Sequence, residues 1–349
     1  MSTSAPALRV AVVGATGAVG TVMLRLLRER GFPASEIVPF ASERSVGREL
    51  PGGLVVAALN DETIQGFDVA LFSAGATRSR EWAPRFVDAG AVVVDNSSAF
   101  RRVDEIPLVV SEVNPHALDT HRGIVANPNC TTMVAMLPLK ALHDGFDLRA
   151  MVATSFQAAG GAGQKGIDEL AAQIGPLAAD VEQLCDDGAA ASAKVGHSVH
   201  AATLAFNVVP LLGTLGDDDH TDEERKLRDE SRKILGIPDL AVSPTCVRVP
   251  VMVGHGVAVR ATFAREPDLE QALELLRAFP NLVVDDVPTP LQYAGRDEVA
   301  VGRVRRDLAD PHALNFFVVG DNLLKGAALN TVQLAEALHE RGLVGARVP

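Results

Sequence analysis

Apolar positions along the chain follow two periods. Leu8 to Val13 is a short unbroken apolar run, the pattern of a strand buried on both faces. Gly14, Gly17 and Gly20 follow, and the 3.6-residue pattern from Val19 to Arg30 predicts a helix. Further strand patterns occupy 36–42, 68–75 and 91–98, with a helix over 77–90 between the last two. Alternating strands and helices with short connections predict a parallel, doubly wound sheet. The strand ends "SAG" and "DNSS" are small and polar, as the ligand-facing rim of such a sheet requires.

The second half changes character. A strand runs to Gln157 and meets a second glycine-rich turn and a helix. Residues 176–215 are poorly periodic. Thr221 with Glu224 three residues later is a capping-box pattern and predicts a helix start. "SPTCVRVPVMVGHGVAVRATFAR" reads as two strands joined at Gly254, and "VAVGRVRRD" and "LNFFVVGDN" read as two more, without intervening helices. Mixed or antiparallel strands here predict an α+β domain distinct from the first. A last helix, Leu323 to Arg341, is expected to pack back on the first domain.

Length supports the division, because single cores stop growing near 250–300 residues and this chain has 349. The net charge of −12 argues against a nucleic-acid or anionic-membrane surface but leaves room for a small anionic ligand held by local arginines. Cysteines at 130, 185 and 246 are odd in number and widely spaced. Neither a disulfide framework nor a metal site is expected, and a reducing cytoplasm is the expected compartment. No basic and apolar leader opens the chain, and no apolar stretch reaches membrane-spanning length.

Three stretches carry candidate chemistry. A glycine-rich turn between strand and helix aims backbone N–H groups and the positive helix end at a phosphate. The spacing here, G-x-x-G-x-x-G, is also that of a bare tight turn. At the end of the second strand, "ASERSVG" offers Arg44 with Ser42 and Ser45, a set suited to a ribose 2′-phosphate and hence NADP. Glu43 beside them is the acidic residue an NAD site would use. In "VANPNCTTMVAMLPLK", Cys130 follows Asn129, a strong N-cap residue, and precedes a helical run. An unperturbed thiol of pKa about 8.5 is only a few per cent thiolate at neutral pH, and a helix N-terminus with a nearby imidazole would raise that fraction. Cys130 reads equally as an activated nucleophile and as a small buried hydrophobe.

The stretches "GATGAVG", "SERS", "DNSSAFR", "NPNCTT", "SFQAAGGAG", "EERK", "CVRVPVMVGHG" and "GDNLLKGAALNT" resemble, in order and context, the bacterial aspartate-semialdehyde dehydrogenases. The resemblance implies an α/β Rossmann-like NADP-binding domain, residues 1–131 with about 323–349, plus an α+β catalytic and dimerisation domain with a mixed sheet, residues 132–322. It implies NADPH-dependent reduction of L-aspartyl 4-phosphate to L-aspartate 4-semialdehyde, with release of phosphate, in lysine, methionine, threonine and isoleucine synthesis. By position it makes Cys130 the nucleophile, His255 the acid–base and Gln157 the group that orients the acyl carbon. Arg248 then matches the residue for the substrate α-carboxylate, Glu223 that for its α-ammonium, and Lys226, Arg101 and Asn129 the phosphate site. Gly14, Thr16, Gly17, Ala18, Val19, Gly20, Ser42, Arg44, Ser45, Gly160, Gly161 and Asn322 match cofactor positions. A homodimer, doubled to a tetramer in some members, is implied, with no metal, nucleic-acid or membrane partner.

The bland readings stand beside these. Glu223 and Lys226 could be a solvated i,i+3 pair. His255, between two glycines, is poor core filler. Cys185 and Cys246 read as structural. An acylated substrate, as in N-acetyl-γ-glutamyl-phosphate reductases, has no free ammonium to need Glu223, and a silent NADP-binding sensor would need none of Cys130, Gln157 and His255. Gly160 replaces the serine usual before the second glycine, and "VVSEVN" and "VPLLGTLGDDDH" also depart from the family pattern.

Overall fold

The computed structural model describes residues 7–344. The opening residues read for a leader and the final residues of the C-terminal segment lie outside that range. The chain divides into two compact units. One comprises the chain to Asn129 together with the stretch from Gly326, and the other is Cys130–Lys325.

The first unit opens with β1 (Leu8–Val13), α1 (Ala18–Glu29) and β2 (Ala34–Phe40), followed by a small hairpin of β3 (Glu49–Leu50) and β4 (Leu54–Val55). Then come β5 (Val69–Phe72), α2 (Ala76–Asp88), β6 (Val92–Asp95) and β7 (Ile124–Ala126). The main sheet is parallel throughout, in the order β2-β1-β5-β6-β7. β5 and β6 are buried along their whole length, which is why they read as unbroken apolar runs. Phe72 meets Phe86 of α2 edge-on at 5.3 Å, anchoring the helix to the sheet. The order reverses between β1 and β5, so a crevice opens at the carboxyl ends of those two strands.

The second unit starts with α3 (Cys130–Phe146), buried around nearly its whole circumference. It continues with β8 (Leu148–Gln157), α4 (Gln164–Ala178), two short helices α5 (Val181–Asp186) and α6 (Gly188–Ser192), α7 (Asp222–Leu235), β9 (Ala241–Arg248) and β10 (His255–Phe263). Then follow α8 (Leu269–Ala278), β11 (Leu282–Val284), α9 (Pro290–Tyr293), β12 (Val299–Arg306) and β13 (Ala313–Gly320). The sheet order is β11-β12-β13-β10-β8-β9. The sheet is mixed: β8–β9 and β11–β12 are parallel, and the other pairs antiparallel. The strands flanking Gly254 therefore form no hairpin, because β8 lies between them.

The segment read as poorly periodic is stitched down by side chains. The Glu169 carboxylate accepts the backbone N–H groups of Ser198, Val199 and His200 at 2.6, 2.8 and 3.1 Å. Burial raises its pKa, but these donors outweigh that and hold it at about 2. After a π-helical turn at Leu324–Ala328, α10 (Leu329–Glu340) returns to the first unit, beside α1, β5 and β6. Its Glu336 receives a two-pronged contact from Arg30, both bonds 2.8 Å. The last helix thus begins later than its apolar pattern predicts, because the first turn is wound wide.

Candidate active site

Cys130 is the first residue of α3 and is half-buried. Its Sγ lies 3.2 Å from Nε2 of His255, the first residue of β10. His255 is fully buried. Burial first, then the Arg248 charge, drives its pKa down to about 3, against an opposing backbone contact at Gly254. The Ala158 N–H donates to Nδ1 at 3.0 Å. A neutral ring whose Nδ1 accepts carries its proton on Nε2, so the N–H faces the sulfur. Asn322 Oδ1 accepts the Gly254 N–H at 2.8 Å and fixes the turn from which His255 projects.

Strand register explains why the other groups gather here. Gln157 ends β8 and pairs in register with Arg248, which ends β9. Phe156 pairs with Gly256, next to His255, on the other side of β8. Three strand ends thus bring Gln157, Arg248 and His255 to one edge of the sheet. Both Gln157 and Arg248 are buried. Gln157 Nε2 donates to Ser155 Oγ at 3.2 Å, and Arg248 Nη1 donates to the Ala158 carbonyl at 2.6 Å. Gly161 lies against Arg248 and His255: a Cβ there would sit 2.6 Å from Arg248 Nη1 and 3.3 Å from His255 Cε1. At Gly160 a Cβ would sit 2.9 Å from the Met252 carbonyl oxygen. Burial lowers the Arg248 pKa, yet the group remains a cation at neutral pH.

Glu223 and Lys226 lie in the first turns of α7. The capping box forms as predicted: Glu224 N donates to Thr221 Oγ at 3.3 Å and Thr221 N to Glu224 Oε2 at 2.8 Å. The other oxygen of Glu224 accepts the Cys246 N–H at 3.3 Å, which ties the helix start to β9 two residues before Arg248. Lys226 Nζ donates to Glu223 at 2.6 Å and to Asp222 at 2.7 Å. These side chains are only 14% (Glu223) and 18% (Lys226) exposed, so this is no freely solvated pair. Burial acts to lower the Lys226 pKa, but the two carboxylates outweigh it and raise the value.

In the first unit, a cavity of about 250 Å³ opens at the β1–β5 reversal, lined by Gly14, Gly17, Ser42, Ser73 and Arg78 among others. Gly14 has φ +90°, and a Cβ there would sit 2.3 Å from the Ser73 carbonyl oxygen. Gly20 lets α1 approach: its Cβ would lie 2.1 Å from the Gly14 oxygen. Thr16 lies in the turn, and Ala18 and Val19 begin α1, which has neither a side-chain cap nor an acidic residue in its first turn. Its N-terminal N–H groups therefore suit an anion. Arg44 and Ser45 sit on the short turn after Ser42, with Arg44 exposed. Arg101 and Asn129 are buried in this unit.

The two units match two family descriptions in tandem: "Semialdehyde dehydrogenase, NAD binding domain" over residues 9–121 and "Semialdehyde dehydrogenase, dimerisation domain" over 139–325. An aspartate-semialdehyde dehydrogenase of Streptomyces akiyoshiensis is 53% identical over 333 residues, 94% of this chain and 98% of the relative. The chain belongs to the aspartate-semialdehyde dehydrogenase family. A Vibrio cholerae structure described as aspartate semialdehyde dehydrogenase II complexed with ASA has a TM-score of 0.88 at 40% identity, covering 95% of this chain and 98% of that one. A Candida albicans aspartate-semialdehyde dehydrogenase solved with NADP has a TM-score of 0.73 at 25% identity, covering 96% and 99%.

Among residues assigned from the aspartate-semialdehyde dehydrogenase resemblance, the second unit brings Cys130, Gln157, His255 and Arg248 to one sheet edge, with Glu223 and Lys226 on the helix tied to β9. Three contributors escape sequence reasoning. Asp222 is the second carboxylate on Lys226, signalled only by i,i+4 spacing on the helix. The Ala158 N–H that sets the His255 tautomer is backbone and has no side-chain signature. Arg78, on α2, lines the cavity at the β1–β5 reversal although the strand-end signal points to Arg44.

Proposed function

We propose that the chain reduces L-aspartyl 4-phosphate to L-aspartate 4-semialdehyde with NADPH, releasing phosphate, in the synthesis of lysine, methionine, threonine and isoleucine. The observation that carries this reading is the Cys130 sulfur 3.2 Å from His255 Nε2, with the opposite ring nitrogen occupied by a backbone N–H.

The Cys130 thiolate attacks the acyl carbon, and a C–S bond forms as the C–O bond to phosphate breaks. When bound, NADPH supplies the hydride that reduces the resulting thioester. Covalent capture divides one difficult step into two. His255 holds its proton on Nε2 and shares it with whichever of the sulfur or acyl oxygen carries more negative charge. Gln157 orients the acyl group. When the C–S bond breaks, the departing thiolate again meets the Nε2–H.

Arg248 binds the substrate α-carboxylate through its planar fork, and Glu223 binds the α-ammonium. Lys226 holds phosphate, as do Arg101 and Asn129. Lys226 is paired with both Glu223 and Asp222, which sets its ammonium beside the carboxylate proposed for the substrate. Gly14, Gly17 and the start of α1 fit a pyrophosphate. Ser42 and Arg78, which line the cavity, with Arg44 and Ser45 on the turn after Ser42, fit a 2′-phosphate and favour NADP. Gly160, Gly161 and Asn322 face the His255 turn and belong to the nicotinamide end. A homodimer through the second unit is supported by apolar side chains left 49–58% exposed there at Val152, Phe206, Val208 and Leu215.

Arg248 and Lys226 hold different anions, and that separates binding roles. Arg248→Ala should weaken use of the semialdehyde about 10- to 150-fold, the worth of a charge-assisted bond of roughly 1.5–3 kcal/mol, with phosphate less affected. Arg248→Lys should rescue poorly. Lys226→Ala should instead raise the KM for inorganic phosphate and for arsenate in the oxidative direction. Steady-state constants for both substrates across these variants test the assignment, and Lys226→Ala with unaltered phosphate dependence would refute it.

A further inference from the structure

Arg101 does not hold its own position. Its Nε donates to the Asn127 carbonyl and its Nη2 to the Asn96 carbonyl, each at 2.9 Å. Asn96 and Asn127 follow β6 and β7, whose last registered pair is Asp95 with Ala126. Just beyond that pair the Asn127 N–H donates to the Asp95 carbonyl at 2.8 Å, and no registered pair follows it. Here a carboxamide bond takes over, with Asn127 Nδ2 donating to Asn96 Oδ1 at 2.6 Å. The two carbonyls that grip the guanidinium are therefore cross-linked by the side chains of the same two residues.

The orientation of this cross-link is imposed from α10. Asn330 Oδ1 accepts the Ser111 N–H at 3.1 Å, and its Nδ2 donates to the Val109 carbonyl at 3.0 Å. These backbone partners admit only one setting of the amide. Asn330 Nδ2 must then also be the donor to Asn127 Oδ1, at 2.6 Å, which leaves Asn127 Nδ2 to face Asn96. Asn127 and Asn330 are both fully buried, where an unmade bond is expensive, so the ladder is held in one register.

We propose that Asn127 and Asn330 are positioning residues for Arg101, fixing the direction of its guanidinium through a carboxamide ladder that runs from α10 to the ends of β6 and β7. The inference rests on the reading of Arg101 as a phosphate-binding cation. Neither asparagine is assigned a contact with any ligand. Loss of either loosens the carbonyl pair, and the charge of Arg101 remains while its aim is lost.

The test is a double-mutant cycle on the full chain, comparing Asn127→Ala, Arg101→Ala and the double variant in the oxidative direction. Asn127→Ala should raise the KM for phosphate about tenfold, the size of coupling found within one hydrogen-bond network, with kcat and the KM for semialdehyde unaltered. The double variant should be no worse than Arg101→Ala alone. A uniform loss of kcat and both KM values, or effects of the two single variants that multiply, would overturn the proposal while leaving Arg101 as a phosphate ligand. Arg101→Ala with an unchanged phosphate KM would overturn the phosphate reading and the proposal together. Should Asn127→Ala fail to fold, Asn330→Ala, one bond further from Arg101, is read by the same criteria.

Discussion

Cys130→Ser should reduce turnover by about 10⁴-fold or more while leaving the fold intact. The substitution is nearly isosteric at a half-buried helix start, so it removes no core volume. The chemistry fails because a serine hydroxyl has no comparable anion fraction at neutral pH, and the hydrogen bond from His255 Nε2 cannot supply one. Thiol labelling checks the same claim independently. Cys246 is buried and its thiol is pushed up to about 12 by that burial, so iodoacetamide should spare it. Cys185 is exposed and should react. Only Cys130 should be protected by bound semialdehyde. Unprotected labelling at Cys130, or Cys130→Ser with full activity, would remove the nucleophile from the account.

His255→Ala should cost about 10²- to 10⁴-fold in kcat/KM, the range for loss of a positioned acid–base group. Its pH signature is more specific than its size. The ring works neutral, and burial holds its pKa at about 3, below the usual imidazole value of 6.5. Protonation of His255 should therefore impose no acid limb near 6.5 on kcat/KM. A matching sign applies to stability. The unfolded chain gains a proton at this residue as pH falls through about 6.5, whereas the folded chain resists it until about 3. The contribution of His255 is thus present above 6.5 and lost progressively towards 3. Denaturant midpoints between pH 8 and pH 5 should fall less in His255→Ala than in the parent chain. An NMR titration placing the folded His255 near 6.5 would contradict the buried neutral tautomer.

Much of this site is readable in the sequence because its signals are local. The β1 run and the glycines after it specify a strand, a left-handed turn at Gly14 and a helix start within a dozen residues. Thr221 and Glu224 announce the start of α7 in the same way. Other features have no local trace. β7 is three residues long, too short for a period, and the strands flanking Gly254 look like neighbours only because sequence does not show β8 between them. The sheet register that brings Gln157 beside Arg248 joins positions 91 residues apart in sequence. The bond from Asn330 to Asn127 spans 203 residues, and a buried asparagine leaves no periodic mark. Arg78, on α2, lies 34 residues beyond the strand-end signal at Arg44, and only the fold shows that it lines the cavity with Gly14 and Ser42.

The central claim is a phosphorylating, NADP-linked dehydrogenase acting on a free amino acid, and the reverse reaction tests it most directly. The full chain is mixed with L-aspartate 4-semialdehyde and NADP, and absorbance of the reduced nicotinamide is followed as inorganic phosphate is added. Reduction should depend on phosphate, saturate with it, and be supported by arsenate. N-acetylation of the substrate should abolish it by removing the ammonium that we propose Glu223 binds. Reduction that proceeds unchanged without phosphate, or that is equally fast with the N-acetylated aldehyde, would contradict the account.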